Sequence, residues 1–373
     1  MNDKIKQQLT KPFNVAILIF IVCVVIAYIF TRHNAQYYKT PIGQITDITH
    51  QSSQTTIDQN KNKDTLHKEQ IHLEIQNGQH KGDRITVPHK YTDSLTGGDS
   101  EKYHVNDQVL LSYKGKEDTA IIKGLKRDGA VTLMTGLFLL TLLIVGRKSG
   151  LYSIISLIIN VTVLLLMIDY FMKHNNHHFF ILMTATVIFS TIVSLLLVSG
   201  FKRRTFVAII STLLGTFLSI GIAQLVMMFT NGDGVKYETM SFLTIQPTQI
   251  FLASVLIGSL GAVMDVAITL TSSLYEIKAQ HPEISLKQLR QSGTNIGKDI
   301  MGTMTNILFF AYLSGSIPMI ILYFKNSNTI TYTLSMNWSL EITRALMGGI
   351  GIVITIPITI FVAMMFMQRE EAK

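Results

Sequence analysis

Long apolar blocks constrain this chain more than any other feature. Eight stretches read as membrane spans: residues 13–30, 130–145, 151–171, 179–199, 206–230, 250–273, 301–324 and 344–367. A helix of about 20 such residues crosses the hydrocarbon core and satisfies its own backbone polar groups on the way. The second stretch is the shortest. Only 15% of the 373 residues are charged and 48% are hydrophobic, whereas soluble domains carry about 25% charge. The expected fold is an all-α polytopic membrane protein with about eight transmembrane helices. The first stretch exits through Tyr28-Ile-Phe-Thr-Arg-His33. It lacks the small-x-small pattern of a cleaved signal peptide, so an uncleaved anchor is expected.

The charges set an orientation. Lys4, Lys6, Lys11, Arg147, Lys148, Lys202, Arg203, Arg204, Lys278, Lys287, Arg290, Lys298, Arg369 and Lys373 fall in segments on one side. The short loops opposite carry only Lys173, Lys236, Lys325 and Arg344. The positive-inside rule then places both termini in the cytoplasm. It also accounts for the net charge of +8 without nucleic acid as a partner; the partner implied is the lipid bilayer. Cys23 is the single cysteine, which excludes an intrachain disulfide and a cysteine-based metal site.

Three regions follow: residues 1–30, a first anchor; 31–129, an extracytoplasmic β-rich domain; and 130–373, a seven-span membrane domain. In the second region, residues 50–68 are rich in Gln, Ser, Thr, Asn and Lys and read as a flexible insertion. Ile71, Leu73 and Ile75 alternate with polar residues, and Asn77-Gly78 follows as a turn. Similar strand patterns begin near Ile42, Arg84, Gln108 and Thr119. A small barrel would leave these strands no exposed edges. His72, His80, His89 and His104 have no metal-ligand spacing, and His174, His177 and His178 read as a solvated loop. No metal and no cofactor is expected.

Enzyme signatures are missing. There is no His-Glu-x-x-His and no Gly-x-Ser-x-Gly. Gly293-Thr-Asn-Ile-Gly-Lys-Asp has three residues between its glycines, and Asp299 stands where a phosphate loop needs Ser or Thr. An enzyme is not expected, since a lone intramembrane acid lacks a second catalytic group.

One apolar run holds an acid. At 100° per residue, Gly258, Gly261, Ala262, Asp265, Thr269, Ser272, Ser273 and Glu276 share one helical face. Leu256, Leu260, Val263, Ala267, Leu270 and Leu274 share the other, which can meet lipid or large apolar neighbours. An unpaired carboxylate in lipid costs at least about 2.5–3.5 kcal/mol, so Asp265 is expected to face protein. In the next span Asp299, Gly302, Thr303, Asn306, Phe310 and Ser314 share a face, which puts Thr303 and Asn306 at a depth similar to Asp265. Asp265, Thr269, Ser272, Asp299, Thr303 and Asn306 are the candidate proton- or ion-coupling residues. Asp265 as a protonated hydrogen-bonding glue residue is the structural alternative. Gly258, Gly261, Gly302, Gly348 and Gly351 are read as helix-packing positions. Between the two spans, Ser285 is a helix N-cap, and a short surface helix from Leu286 is expected to end at Gly293.

The run from Gly258 to Glu276, Gly297-Lys-Asp-Ile-Met-Gly-Thr-Met-Thr-Asn306 and Tyr312-Leu-Ser-Gly-Ser-Ile-Pro318 resemble the YibE/F-like family of bacterial membrane proteins, in its YibE type. The resemblance implies a plasma-membrane protein of Gram-positive bacteria, often made beside a shorter YibF-type companion. A more distant topological likeness is to the SecD/SecF and RND permeases, where a central acid, a cytoplasmic surface helix and a Thr-rich span take similar places.

Two functions remain open. One is a gradient-coupled transporter, or a subunit of a transport complex, that uses Asp265. The other is a non-transporting scaffold that assembles with a companion membrane protein.

Overall fold

Alternation along the strands and long apolar runs along the helices divide the chain between one sheet and many helices. The computed structural model describes residues 12–57, 63–93, 101–113, 115, 120–174, 179–237, 240 and 247–371. Helix α1 (Pro12–His33) leads to β1 (Ile42–Ile57), β2 (Lys63–Ile75), β3 (Arg84–Thr92), β4 (Gln108–Ser112) and β5 (Ile121–Leu125). Then come α2 (Asp128–His174), α3 (Phe179–Ser199), α4 (Arg203–Phe229), α5 (Pro247–Gln280), α6 (Leu286–Ser314), α7 (Ile317–Lys325) and α8 (Ile330–Glu371). The chain divides into two units, Met1–Leu151 and Tyr152–Lys373.

In the first unit the strands form an antiparallel sheet in the order β3-β2-β1-β4-β5. Period-two alternation brings Ile71, Leu73 and Ile75 onto one buried face with Ile45, Ile85, Val87, Val109 and Leu111. Strands β3 and β5 are the edges, and no pairing among the described residues closes a barrel. The flexible insertion expected at 50–68 is corrected for residues 50–57 and 63–68: β1 and β2 pair antiparallel from Gly43↔Ile75 to Ile57↔Lys63, and residues 58–62 lie outside the described residues. Its outer part is held by the ladder and by polar cross-strand pairs, such as Ser53 Oγ with His67 Nδ1 at 2.9 Å. Composition alone reads those polar residues as disorder. The histidine rings bond locally, His72 to Thr86, His80 to Asp83 and His89 to the Glu101 carbonyl, while the His104 ring lies 3.7 Å from Asp107, which accepts from the His104 amide. His177 and His178 lie outside the described residues.

Two polar knots tie the sheet to its flanks. Buried Asn77 accepts from the Ile42 amide at 2.6 Å and donates to the Tyr38 and Thr40 carbonyls. At the start of α2, Asp128 accepts from Asn34, Tyr38 and Lys126. The Lys126 ammonium also donates to the Thr31 carbonyl at the end of α1.

Among the described residues, six helices are long and apolar enough to cross a membrane, or seven if α6 and α7 together form one span. The expected spans differ from this in three places. Residues 130–145 and 151–171 both lie in α2, whose 47 residues are interrupted at Arg147 (φ 47°, ψ −122°). There a side chain on Gly150 would strike the Leu142 carbonyl. Eight residues along a straight helix span about 12 Å, so the chain folds back sharply at this point. The stretch 301–324 breaks between α6 and α7, which are bent by 48°. The last helix begins at Ile330, well before Arg344.

In the second unit α5 and α8 form the centre. Val266, Leu270 and Leu274 of α5 pack with Leu289 and Leu308 of α6 and Ile352, Ile356 and Ile360 of α8. Toward the other end, Phe251, Leu252, Val255 and Leu256 pack with Val187 of α3, Ile220 of α4 and Met347 of α8. The α6 start carries the expected cap: Ser285 and Gln288 form a reciprocal capping box. The expected stop at Gly293 is corrected. The helix continues to Ser314, because buried Gly293 lets Leu274 and Ile360 come close.

Two outcomes are expected. Asn77→Ala leaves three backbone groups without partners and lowers stability by about 3 kcal/mol, read as faster hydrogen exchange at Ile42 and Gln76. Burial holds the His89 imidazole below its usual value, against a smaller opposing effect of Glu69. Its unfolded form therefore binds a proton first. The stability His89 contributes is complete above about pH 6.5 and is lost as pH falls through the folded value. Exchange of β2–β3 amides between pH 7.5 and 5 should quicken in the wild type and be flatter in His89→Gln.

Candidate functional site

The rotation of α5 about its axis decides where its acid points. The large residues Leu256, Val263, Ala267, Leu270 and Leu274 are fully buried in the bundle, and Leu260 nearly so. Opposite them, Gly261, Asp265, Thr269 and Glu276 are exposed, and Gly258, Ser272 and Ser273 are partly so. The helical wheel therefore separates the two faces correctly: the apolar face meets large apolar neighbours, one of its two expected destinations, and the polar face points away from the rest of this chain. The expectation that Asp265 faces protein is not met within this chain. Asp265 has no hydrogen-bond or ion-pair partner among the described residues. The physical reason is packing: α4, α6 and α8 interlock with the large apolar side chains, so the polar face is left outward.

The second face behaves the same way. Asp299, Gly302, Thr303, Asn306, Phe310 and Ser314 of α6 are all exposed. Thr303 and Ser314 bond back to carbonyls of their own helix, and Asn306 makes no hydrogen bond among the described residues. An Asp265–Asn306 bond, the pairing that the glue-residue alternative would use, is absent among the described residues. The depth match does hold. Gly258 abuts the Tyr312 hydroxyl and Leu274 abuts Gly293. Interpolating between those contacts puts Asp265 level with Thr303, within about a turn of Asn306.

The five packing glycines divide into two groups. Gly258 touches Tyr312, Gly348 meets Leu308, and Gly351 meets Ser219 and Val263, so these three serve contacts inside the bundle. Gly261 and Gly302 have open space where a side chain would stand. They leave the outward faces of α5 and α6 smooth enough for another helix to approach.

A polar cluster escaped sequence reasoning. Arg344, read there as a loop charge at the mouth of the last span, lies inside α8. Its Nη1 donates to Glu341 Oε1 at 2.6 Å, its Nε donates to Ser254 Oγ at 3.1 Å, and its guanidinium lies over the Phe251 ring. The two side chains are 18% and 23% exposed. They line a cavity of about 640 Å³ between α6, α7 and the first half of α8. A Glu and an Arg three apart within an apolar helix was the available signal. Asn160 was also missed. It donates to Ser194 Oγ at 2.7 Å and ties the second half of α2 to α3, beside a smaller cavity that reaches Gly261.

A family model described as YibE/F-like protein matches residues 134–369, and one described as YibE/F family N-terminal domain matches residues 36–125. The chain belongs to the YibE/F-like family. No curated protein and no solved structure matches it. The N-terminal model spans all five strands of the YibE/F-like chain, and the second model spans both polar faces and the cavity. With its apolar helices, this makes the chain a membrane protein.

The two kinds of glycine should separate in stability. Gly258→Leu drives a side chain into Tyr312 and should cost about 1–3 kcal/mol. Gly261→Leu enters open space and should stay within about 0.5 kcal/mol of the wild type. Thermal unfolding of detergent-purified variants, followed by size-exclusion fluorescence, checks both.

Proposed function

We propose that this YibE/F-like chain is a subunit of a gradient-coupled transport complex in the plasma membrane. The Asp265 face is covered by a second protein, and Asp265 exchanges a proton at that seam. The observation that carries this reading is the exposed Asp265 carboxylate, without a partner among the described residues, in the middle of a membrane-length helix. Left in lipid it would cost at least about 2.5–3.5 kcal/mol. A partner helix over Gly261 and Gly302 removes that cost and supplies hydrogen bonds to Asp265 and Asn306. A second copy of this chain or a shorter YibF-type companion is the covering subunit. The halves of α2 on either side of Arg147 act as separate spans, and α6 with α7 as one broken span, giving eight. Both termini are cytoplasmic, as the basic segments favour, and the sheet lies outside. Thr269, Ser272, Asp299 and Thr303 line the approach to Asp265, and no enzymatic step or cofactor is involved.

The scaffold is the second reading, favoured by the same open glycines. Asp265→Asn keeps a hydrogen-bonding amide but cannot carry a proton. In proteoliposomes it should lose proton flux by more than tenfold while pull-down from membranes still recovers the partner. Gly261→Leu should lose the partner while the chain stays folded. Full proton flux in Asp265→Asn would leave only the scaffold.

A further inference from the structure

The cavity beside Glu341 and Arg344 has the makings of a ligand site that does not depend on the role of Asp265. A volume of about 640 Å³ lies within the range of small-molecule pockets, roughly 300–1,000 Å³. Met319 and Met336 supply apolar, adaptable wall, while Tyr312 and Asn337 supply polar points. The break between α6 and α7 places Gly315 and Ser316 in the cavity wall.

The ion pair is the unusual component. Placing two charges in a membrane-length helix is costly, and a one-to-one pair of this kind is weak as a stabilising device. This pair is also incompletely used. Arg344 spends Nε on Ser254 and Nη1 on Glu341, and Glu341 spends only Oε1. Arg344 Nη2 and Glu341 Oε2 have no protein partner among the described residues. The Ser254 bond and the Phe251 ring hold the guanidinium still. The site is therefore electrically neutral, preorganised, and offers one donor group and one acceptor group side by side.

We infer that this cavity binds a zwitterionic group, an ammonium on Glu341 and an anionic oxygen on Arg344, carried on an apolar body that fills the methionine-lined space. A lone anion would face Glu341, and a lone cation would face Arg344. A ligand carrying both signs meets both partners with charge-assisted hydrogen bonds, the strongest the pair can make. Two sources share this chemistry: an aminophospholipid headgroup and a free amino acid or short peptide.

Binding is followed through Trp338, the only tryptophan, which sits one residue along α8 from the lining residue Asn337. The full chain is reconstituted in nanodiscs of phosphatidylglycerol alone, which offers no ammonium. Phosphatidylethanolamine is added in one arm and L-leucyl-L-leucine in the other, with N-acetyl-L-leucyl-L-leucine as the control that lacks the ammonium. The expected result is a saturable change in at least one arm, absent with the acetylated control and at least tenfold weaker in Glu341→Gln. A response to the phospholipid assigns the headgroup, and a response to the dipeptide assigns the soluble source. Met319→Phe, which fills the cavity without touching the pair, should weaken the response equally and decides the matter if Glu341→Gln does not fold. No saturable response in either arm, an equal response to the acetylated control, or unchanged binding in both variants overturns the inference.

Discussion

The setting of α5 about its long axis governs the rest of the membrane unit. Its large side chains lock between α4, α6 and α8, where Val263, Val266, Ala267, Leu270 and Leu274 are fully buried. Each fully packed side chain of that size makes tens of dispersion contacts. Turning the helix to hide Asp265 would break that interlock along several turns. Keeping it leaves one carboxylate outside, at a cost of a few kcal/mol in lipid. Packing wins inside the chain, and Asp265 is left to whatever lies against its outer face.

That trade explains which parts of the structure were legible in the sequence. In water, a helix with one polar and one apolar face turns the apolar face inward, because the hydrophobic effect rewards it. In lipid that reward vanishes, since the tails are as apolar as leucine. The wheel could thus separate Gly261, Asp265 and Thr269 from Leu260, Val263 and Leu270, but it could not say which set points out. The depth match of Asp265 with Thr303 needed only the rise per residue and an antiparallel neighbour, so it survived. Glu341 and Arg344 were lost for another reason: a span drawn from Arg344 onward turns a half-buried guanidinium inside a helix into a loop charge. The strand pairing of residues 50–57 with 63–68 was lost because its polar cross-strand pairs look like disorder when they are read along one strand.

Two outward-looking features share α5. Ser254, which holds Arg344 beside the cavity, precedes Asp265 by eleven residues, about 16 Å of helix. Gly258 lies between them and presses on Tyr312, whose side chain belongs to both surroundings: it lines the cavity and packs against α5. The bend after Ser314 opens the cavity, and the straight run of α6 below it carries Thr303 and Asn306 past Asp265. A ligand in the cavity and a proton at Asp265 would therefore act on the same pair of helices, with Tyr312 as their common contact.

The central claim is that protein, and not lipid, covers the Asp265 face. Spin labels on Cys23→Ser chains carrying Gly261→Cys or Thr269→Cys, in native membrane vesicles, test it through collision with dissolved oxygen. Leu218→Cys, on the exposed apolar side of α4, gives the lipid-facing reference. The account predicts oxygen collision rates at positions 261 and 269 several-fold below the reference. Rates equal to those at position 218 would place the Asp265 face in lipid and contradict it.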